Sequence, residues 1–257
     1  MTMENRYQRN RLYVSEEEQA RMKHTPILIS GAGVGSIIAE CALRFGFESL
    51  TIVDGDIVEE SNLNRQNYTT DDLGRPKAEA LCKRLSKINP NAKIEYINNF
   101  VNKENVASII AKHEIAINAL DFKDETPFVF DEICAERGIP VLHPYNFGWA
   151  GFLTIVKPDG HRLTELSCVP NAFELQVAKY AASYGRFWHM PITWLSDIIE
   201  QYESETSILP PPQLSIASWI VAGHCVNAMF NIVTGRPIKY FPQFYFSSLI
   251  CEKDSMY

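Results

Sequence analysis

Between residues 26 and 53 the chain sets two short apolar runs on either side of a glycine-rich turn and an apolar helix. Pro26-Ile27-Leu28-Ile29-Ser30 reads as a strand. Gly31-Ala32-Gly33-Val34-Gly35-Ser36 follows, then a helical run from Ile37 to Phe45 closed by Gly46, then a second strand, Leu50 to Val53. Strands this uniformly apolar are buried on both faces, as in a parallel sheet covered by helices. The alternation continues. A helix is predicted over Lys77–Ile88, a strand over Ala92–Ile97, a helix over Lys103–Lys112 and a strand over Ile115–Leu120 that ends at Asp121. A helix over Thr126–Arg137, capped by Gly138, and a strand over Pro140–Leu142 complete the series. The expected fold is α/β, a doubly wound, mainly parallel, Rossmann-like sheet.

Before this unit, Glu16 to Lys23 reads as a polar helix with Ser15 as its N-cap. After His143 the pattern changes to a C-terminal β/helical extension. Gly151–Val156 alternates and stops at Pro158-Asp159-Gly160; Leu175–Tyr184 and Trp194–Tyr202 look helical. Pro210-Pro211-Pro212 breaks the chain, Ser215 to Gly235 is a long apolar helix, and the tail from Tyr240 to Ile250 is aromatic and strand-like. Residues 1–160 are expected to form a nucleotide-binding core with an N-terminal arm. Residues 161–257 are expected to complete the same domain, with a helical insertion at about 169–209.

With 257 residues and 46% hydrophobic content, the chain can bury one large core. No apolar run is expected to reach the roughly 18 residues of a membrane helix, so no membrane partner is expected. The polar start, MTMENRYQRNRLY, does not read as a secretory signal, and none is expected. A net charge of −7 argues against DNA or other non-specific nucleic-acid binding. The six cysteines, Cys41, Cys82, Cys134, Cys168, Cys225 and Cys251, form no CxxC pair, so no zinc is expected, and a reducing cytoplasm is the expected compartment. Cys41, Cys82 and Cys134 read as buried thiols. Cys168 is the most exposed in context, and an inert loop thiol is the stronger reading there.

The glycine turn, Gly31-x-Gly33, places backbone amides and a helix N-terminus at one point, which is an anion site. Asp54 lies 23 residues beyond Gly31, where a ribose-binding acid belongs; a turn aspartate beside Gly55 is an equal reading. Arg65 and Lys77 follow. A nicotinamide site has no need of two cations there, whereas a triphosphate does. Asn62, Asn64 and Gln66 make the surroundings of Arg65 a polar cluster and not a solvated charge run. Asp121 ends a buried strand at the same sheet edge, where a carboxylate facing a triphosphate holds magnesium. Asp124 reads as the cap of the next helix. Arg6 and Arg9 read, by composition, as a disordered basic arm, and His143 as a structural histidine.

Together these residues resemble the ThiF/MoeB/HesA-type adenylyltransferases, the superfamily that includes ubiquitin-activating enzymes. Arg6-Tyr7-Gln8-Arg9-Asn10 looks like that family's Arg-Tyr-x-Arg-Gln start. Asp54-Gly55-Asp56 with Ser61-Asn62-Leu63-Asn64-Arg65-Gln66 looks like its Asp-x-Asp and Ser-Asn-Leu-x-Arg-Gln. Gly74-Arg75-Pro76-Lys77, Ile88-Asn89-Pro90 and Ala119-Leu120-Asp121 also fit, and the likeness covers Arg6 to about Gly160 and Pro212 to Gly235.

The resemblance implies catalytic roles for Arg9, Arg65, Lys77 and Asp121. It implies nucleotide contacts from Gly31, Gly33, Gly35, Asp54, Asp56, Asn62, Arg65, Gln66 and Lys77, and magnesium on Asp121. It implies ATP as co-substrate and a small ubiquitin-like or sulfur-carrier protein as partner. It also implies a homodimer in which Arg9 reaches the neighbouring subunit's γ-phosphate. Three departures stand out. The family's Gly-x-Gly-Gly-x-Gly loop looks one residue longer than Gly31–Ser36. The two CxxC pairs of MoeB-like members are missing. Residues 169–209 have no counterpart. A tRNA-modifying dehydratase of the same superfamily, an inactive nucleotide-binding partner subunit and a nicotinamide oxidoreductase are the competing readings.

Overall fold

The computed structural model describes residues 5–206 and 209–250. Cys251, named above, and residues 207 and 208 of the insertion lie outside that range. In chain order the elements are α1 (Glu16–His24), β1 (Pro26–Ser30), α2 (Val34–Phe45), β2 (Ser49–Val53), α3 (Lys77–Ile88), β3 (Lys93–Ile97), α4 (Val106–Ile110) and β4 (Ile115–Asn118). Then come α5 (Thr126–Glu136), β5 (Val141–Asn146), β6 (Ala150–Val156), α6 (Phe173–Phe187), α7 (Thr193–Ser204), α8 (Ser215–Thr234) and β7 (Phe244–Ser248).

The strands form one sheet in the order β3-β2-β1-β4-β5-β6-β7. β1 to β5 are parallel, and β6 and β7 are antiparallel additions. The order reverses between β1 and β4, so a crevice opens there beyond the strands' C-terminal ends. Strand residues alternate between two cores. Ile27, Ile29, Ile115 and Ile117 pack with α1, α2, α3 and α8 on one face. Leu28, Val53 and Ala116 pack with α4, α5, α6 and α7 on the other.

Several expectations shift. α4 spans only Val106–Ile110, because the Asn102 side chain accepts the Glu104 and Asn105 amides and turns the chain before a helix can start. β5 runs past Leu142 to Asn146 and places His143 inside the strand. Pro144 is tolerated because β4 pairs only Val141 and Leu142 of β5. β4 stops at Asn118, so Asp121 lies beyond the strand and not on its last residue. The basic arm is ordered. Asn5–Asn10 forms a 3-10 helix, Tyr7 is 2% exposed, and its hydroxyl donates to Glu48 Oε1 at 2.6 Å.

The expectation of no membrane-length apolar run is also corrected. Ser215–Thr234 is, by length and composition, apolar enough to cross a membrane. In this fold its Ala217, Val221, Ala222, Cys225 and Met229 are buried, and it packs on the sheet as a core helix.

Candidate functional site

The turn after β1 is forced by its neighbours. Gly31 has φ of 94°, and a Cβ there would lie 2.2 Å from the Ala119 carbonyl oxygen. Glycine thus lets the turn pass directly over the end of β4. Gly35 is buried in the first turn of α2, where a Cβ would meet Ile29 Cγ2 at 2.8 Å; its glycine seats the helix on β1. α2 has no side-chain cap, and an uncapped helix N-terminus is what an anion cradle requires.

Asp54 follows β2 directly. One carboxylate oxygen accepts the Ala32 amide at 2.6 Å and the other the Asp56 amide at 2.7 Å. The turn role and the ribose role are compatible, since each oxygen keeps a further lone pair. Burial raises the Asp54 pKa, and the two amides and Lys77 oppose that rise. Lys77 opens α3 and is buried, with its ammonium 3.2 Å from Asp56. Its backbone amide donates to the Asp56 carbonyl, and Val58 and Gly74 close the same loop by a further pair of backbone bonds. The long excursion from 54 to 77 is therefore pinned at its base.

Asn62 is buried, and its Oδ1 accepts the Glu59 amide at 3.0 Å. Arg65 donates through Nη1 to Ser61 O and Asn64 Oδ1, both at 2.8 Å. Its Nε donates to Gln213 Oε1 at 2.6 Å. Burial lowers the Arg65 pKa and the nearby Asp121 charge opposes that, so the guanidinium stays a cation. The Gln66 amide lies against Gly33, and its Oε1 is buried without a partner.

Asp121 is exposed and pairs with Lys123 at 3.0 Å. The Lys123 pKa is raised by that bond first, and by Asp56 and Asp54 as well, which places all four charges in one neighbourhood. Asp124 caps α5 by accepting the Thr126 amide at 2.7 Å. Glu174, at the start of α6, accepts the Phe122 amide at 3.2 Å, while Phe173 stacks on Phe122 with centroids 4.4 Å apart. The insertion is thus clipped to the loop that carries Asp121.

Arg9 stands apart from this cluster. Its helix docks on Glu48, before β2, and on the Ile88 carbonyl, at the opposite edge of the sheet from Asp54. Cys168 is exposed and Cys134 buried, while Cys41 and Cys82 are half-buried. His143 is fully buried against Asp131 at 3.0 Å, a structural pairing. Lys123, Gln213 and Glu174 escaped the sequence reading. Lys123 left a faint signal, a cation two residues after a strand-end acid. Gln213 left none, being 148 residues from Arg65.

The ThiF family model matches residues 7–252. This chain belongs to the ThiF family. It is 32% identical over 149 residues to the SAMP-activating enzyme E1 of Haloferax volcanii, covering 57% of this chain and 55% of that one. It is 35% identical over 162 residues to the sulfur carrier protein ThiS adenylyltransferase of Bacillus subtilis, covering 61% and 48%. The chain therefore spans about half the length of the curated relatives it matches. The solved structure of Escherichia coli MccB with ATP superposes with a TM-score of 0.68 at 16% identity, over 98% of this chain and 73% of that one. That likeness establishes the shared fold.

Proposed function

We propose that this ThiF-family chain is an ATP-dependent adenylyltransferase that activates the C-terminal carboxylate of a small ubiquitin-like or sulfur-carrier protein. One observation carries the reading. The fold brings the glycine turn, Asp54, Lys77, Arg65 and Asp121 to one crevice at the switch point, although they span 91 residues from Gly31 to Asp121.

In the proposed reaction a carboxylate oxygen of the partner attacks the α-phosphorus of ATP. The bond from that phosphorus to the β-bridging oxygen breaks, pyrophosphate departs with the electron pair, and an acyl-adenylate forms. The turn amides and the α2 N-terminus cradle phosphate oxygens. Lys77 and Arg65 neutralise charge that grows on the phosphates. The free lone pairs of Asp54 accept the ribose hydroxyls. Hard carboxylate oxygens from Asp121, with Asp54 and Asp56 nearby, suit magnesium, which would supply Lewis-acid neutralisation of the phosphates. Lys123 would have to release Asp121 for that.

The same reading includes a homodimer with Arg9 serving the partner's site. The arm is anchored at the N-terminal edge of β2, and five strand residues at about 3.3 Å each separate that edge from Asp54. An arginine fork that cannot reach its own crevice suits a neighbour's phosphate. No zinc is part of the proposal.

The test is ATP–pyrophosphate exchange with magnesium and a protein ending in Gly-Gly. Arg65→Ala and Lys77→Ala should each lower exchange by about 10²-fold or more. Exchange at the wild-type rate in both variants would remove the assigned roles, and binding of NAD without ATP would remove the function.

A further inference from the structure

Two hydroxyls join the glycine turn to the cation loop, and neither belongs to the roles assigned above. Ser36 is fully buried. Its hydroxyl donates to the Gly33 carbonyl at 2.6 Å and accepts the Asn67 amide at 3.0 Å. Tyr68 is 7% exposed, and its hydroxyl donates to the Ala32 carbonyl at 2.8 Å, with the Lys77 carbonyl at 3.3 Å beside it. Consecutive residues of one loop, Asn67 and Tyr68, thus hold Ser36 and Ala32 of the other.

The grip is itself held at both ends. The Asn67 side chain donates to Glu40 Oε2, and Glu40 is fixed by Arg84 at 2.6 Å and Arg44 at 2.8 Å. On the other side Ala32 is tied to Asp54. Arg65 and Gln66 immediately precede the gripping pair. No backbone hydrogen bond joins residues 65–68 to residues 31–36 among those described. The relative placement of the anion cradle and the cation therefore rests on side-chain bonds, those of the two hydroxyls and of Asn67 to Glu40.

We infer that Ser36 and Tyr68 are positioning residues that lock the Gly31–Ser36 turn to the Arg65–Tyr68 segment, so that phosphate cradle and guanidinium act as one preorganised unit. The inference rests on the proposed adenylylation, and it concerns geometry in the transition state. A catalytic group displaced by about 1 Å can cost on the order of 10²-fold in rate. Ground-state binding of ATP, spread over many contacts, changes less.

The test compares the full chain with its Ser36→Ala and Tyr68→Phe variants. Three quantities are read: kcat for pyrophosphate exchange, the dissociation constant for magnesium-ATP by calorimetry, and amide hydrogen exchange. Each variant should lose roughly 10-fold or more in kcat. The ATP dissociation constant should move by less than about 3-fold, well below the kcat loss. Hydrogen exchange should rise in both segments, 31–36 and 65–68, whichever hydroxyl is removed. Wild-type kcat in both folded variants, or faster hydrogen exchange confined to the mutated segment, would overturn the inference. Should Ser36→Ala fail to fold, Tyr68→Phe alone decides by the same criteria. If the wild-type chain shows no exchange at all, the adenylylation reading fails, while the hydrogen-exchange result still decides whether the two segments are locked.

Discussion

Asp54 ties the glycine turn to the end of β2, and in the proposed function its remaining lone pairs also take a nucleotide. Burial raises its pKa above the usual 3.8, so on acidification it gains a proton earlier than an exposed aspartate. The folded chain binds that proton more tightly than the unfolded chain does, so the uptake does not itself unfold the protein. Nucleotide affinity should fall instead. Wild type should lose magnesium-ATP affinity as pH drops towards that raised pKa, and Asp54→Asn should be weaker at neutral pH with no such fall beyond the nucleotide's own titration. Parallel profiles measured by calorimetry would show that Asp54 does not bind the nucleotide. Asp54, Arg65 and Lys77 were legible in the sequence because each sits at a set distance from a strand end or helix start. Asp121 was read one turn too close to the sheet. The Asn118 side chain, held by Asp131 and the Pro127 carbonyl, ends β4 early, and no local spacing reports that.

At the scale of elements, α2 carries the site on its first turn and its anchor on the same helix at Glu40. Burial would raise the Glu40 pKa, but the Arg84 and Arg44 hydrogen bonds and the Asn67 amide overcome this and hold it below the usual value. A carboxylate with a depressed folded pKa stabilises the fold above its unfolded pKa and loses that contribution as pH falls through the folded one. Glu40→Gln should therefore lower stability at neutral pH by about 1.5–3 kcal/mol, the scale of charge-assisted hydrogen bonds. The deficit should shrink as pH falls through the lowered folded pKa, where the wild-type carboxylate becomes protonated too. Denaturant unfolding at two pH values reads this directly; an equal deficit at both would mean that packing, not charge, holds α2. The bounds of α3 match the sequence reading residue for residue, because Pro76 and Asn89-Pro90 punctuate both ends. α8 also matches its predicted span, but not the expectation of no membrane-length apolar run. Its composition is that of a membrane span, and only its burial against the sheet identifies it as core.

For the whole molecule, the arm and the crevice lie at opposite edges of one sheet. In the proposed function a single chain lacks Arg9 at its own phosphates, and a second copy would supply it. Arg9→Ala and Asp121→Asn chains should each be nearly inactive in exchange, yet regain activity when mixed and allowed to swap subunits, since one site of the heterodimer carries both wild-type residues. Proven heterodimers without recovery would mean that Arg9 acts elsewhere. The link of α6 and α7 to the Asp121 loop through Phe173 and Glu174 emerges only from packing between distant segments.

Adenylylation of a protein carboxylate is tested most directly by the mass of the partner itself. The chain is incubated with ATP, magnesium and a small protein ending in Gly-Gly, then quenched in acid and weighed. Adenylylation predicts a partner heavier by one AMP moiety at its C-terminal residue, and no such product when that carboxylate is amidated. ATP bound and hydrolysed with the partner's mass unchanged, or AMP attached equally to the amidated partner, would contradict it.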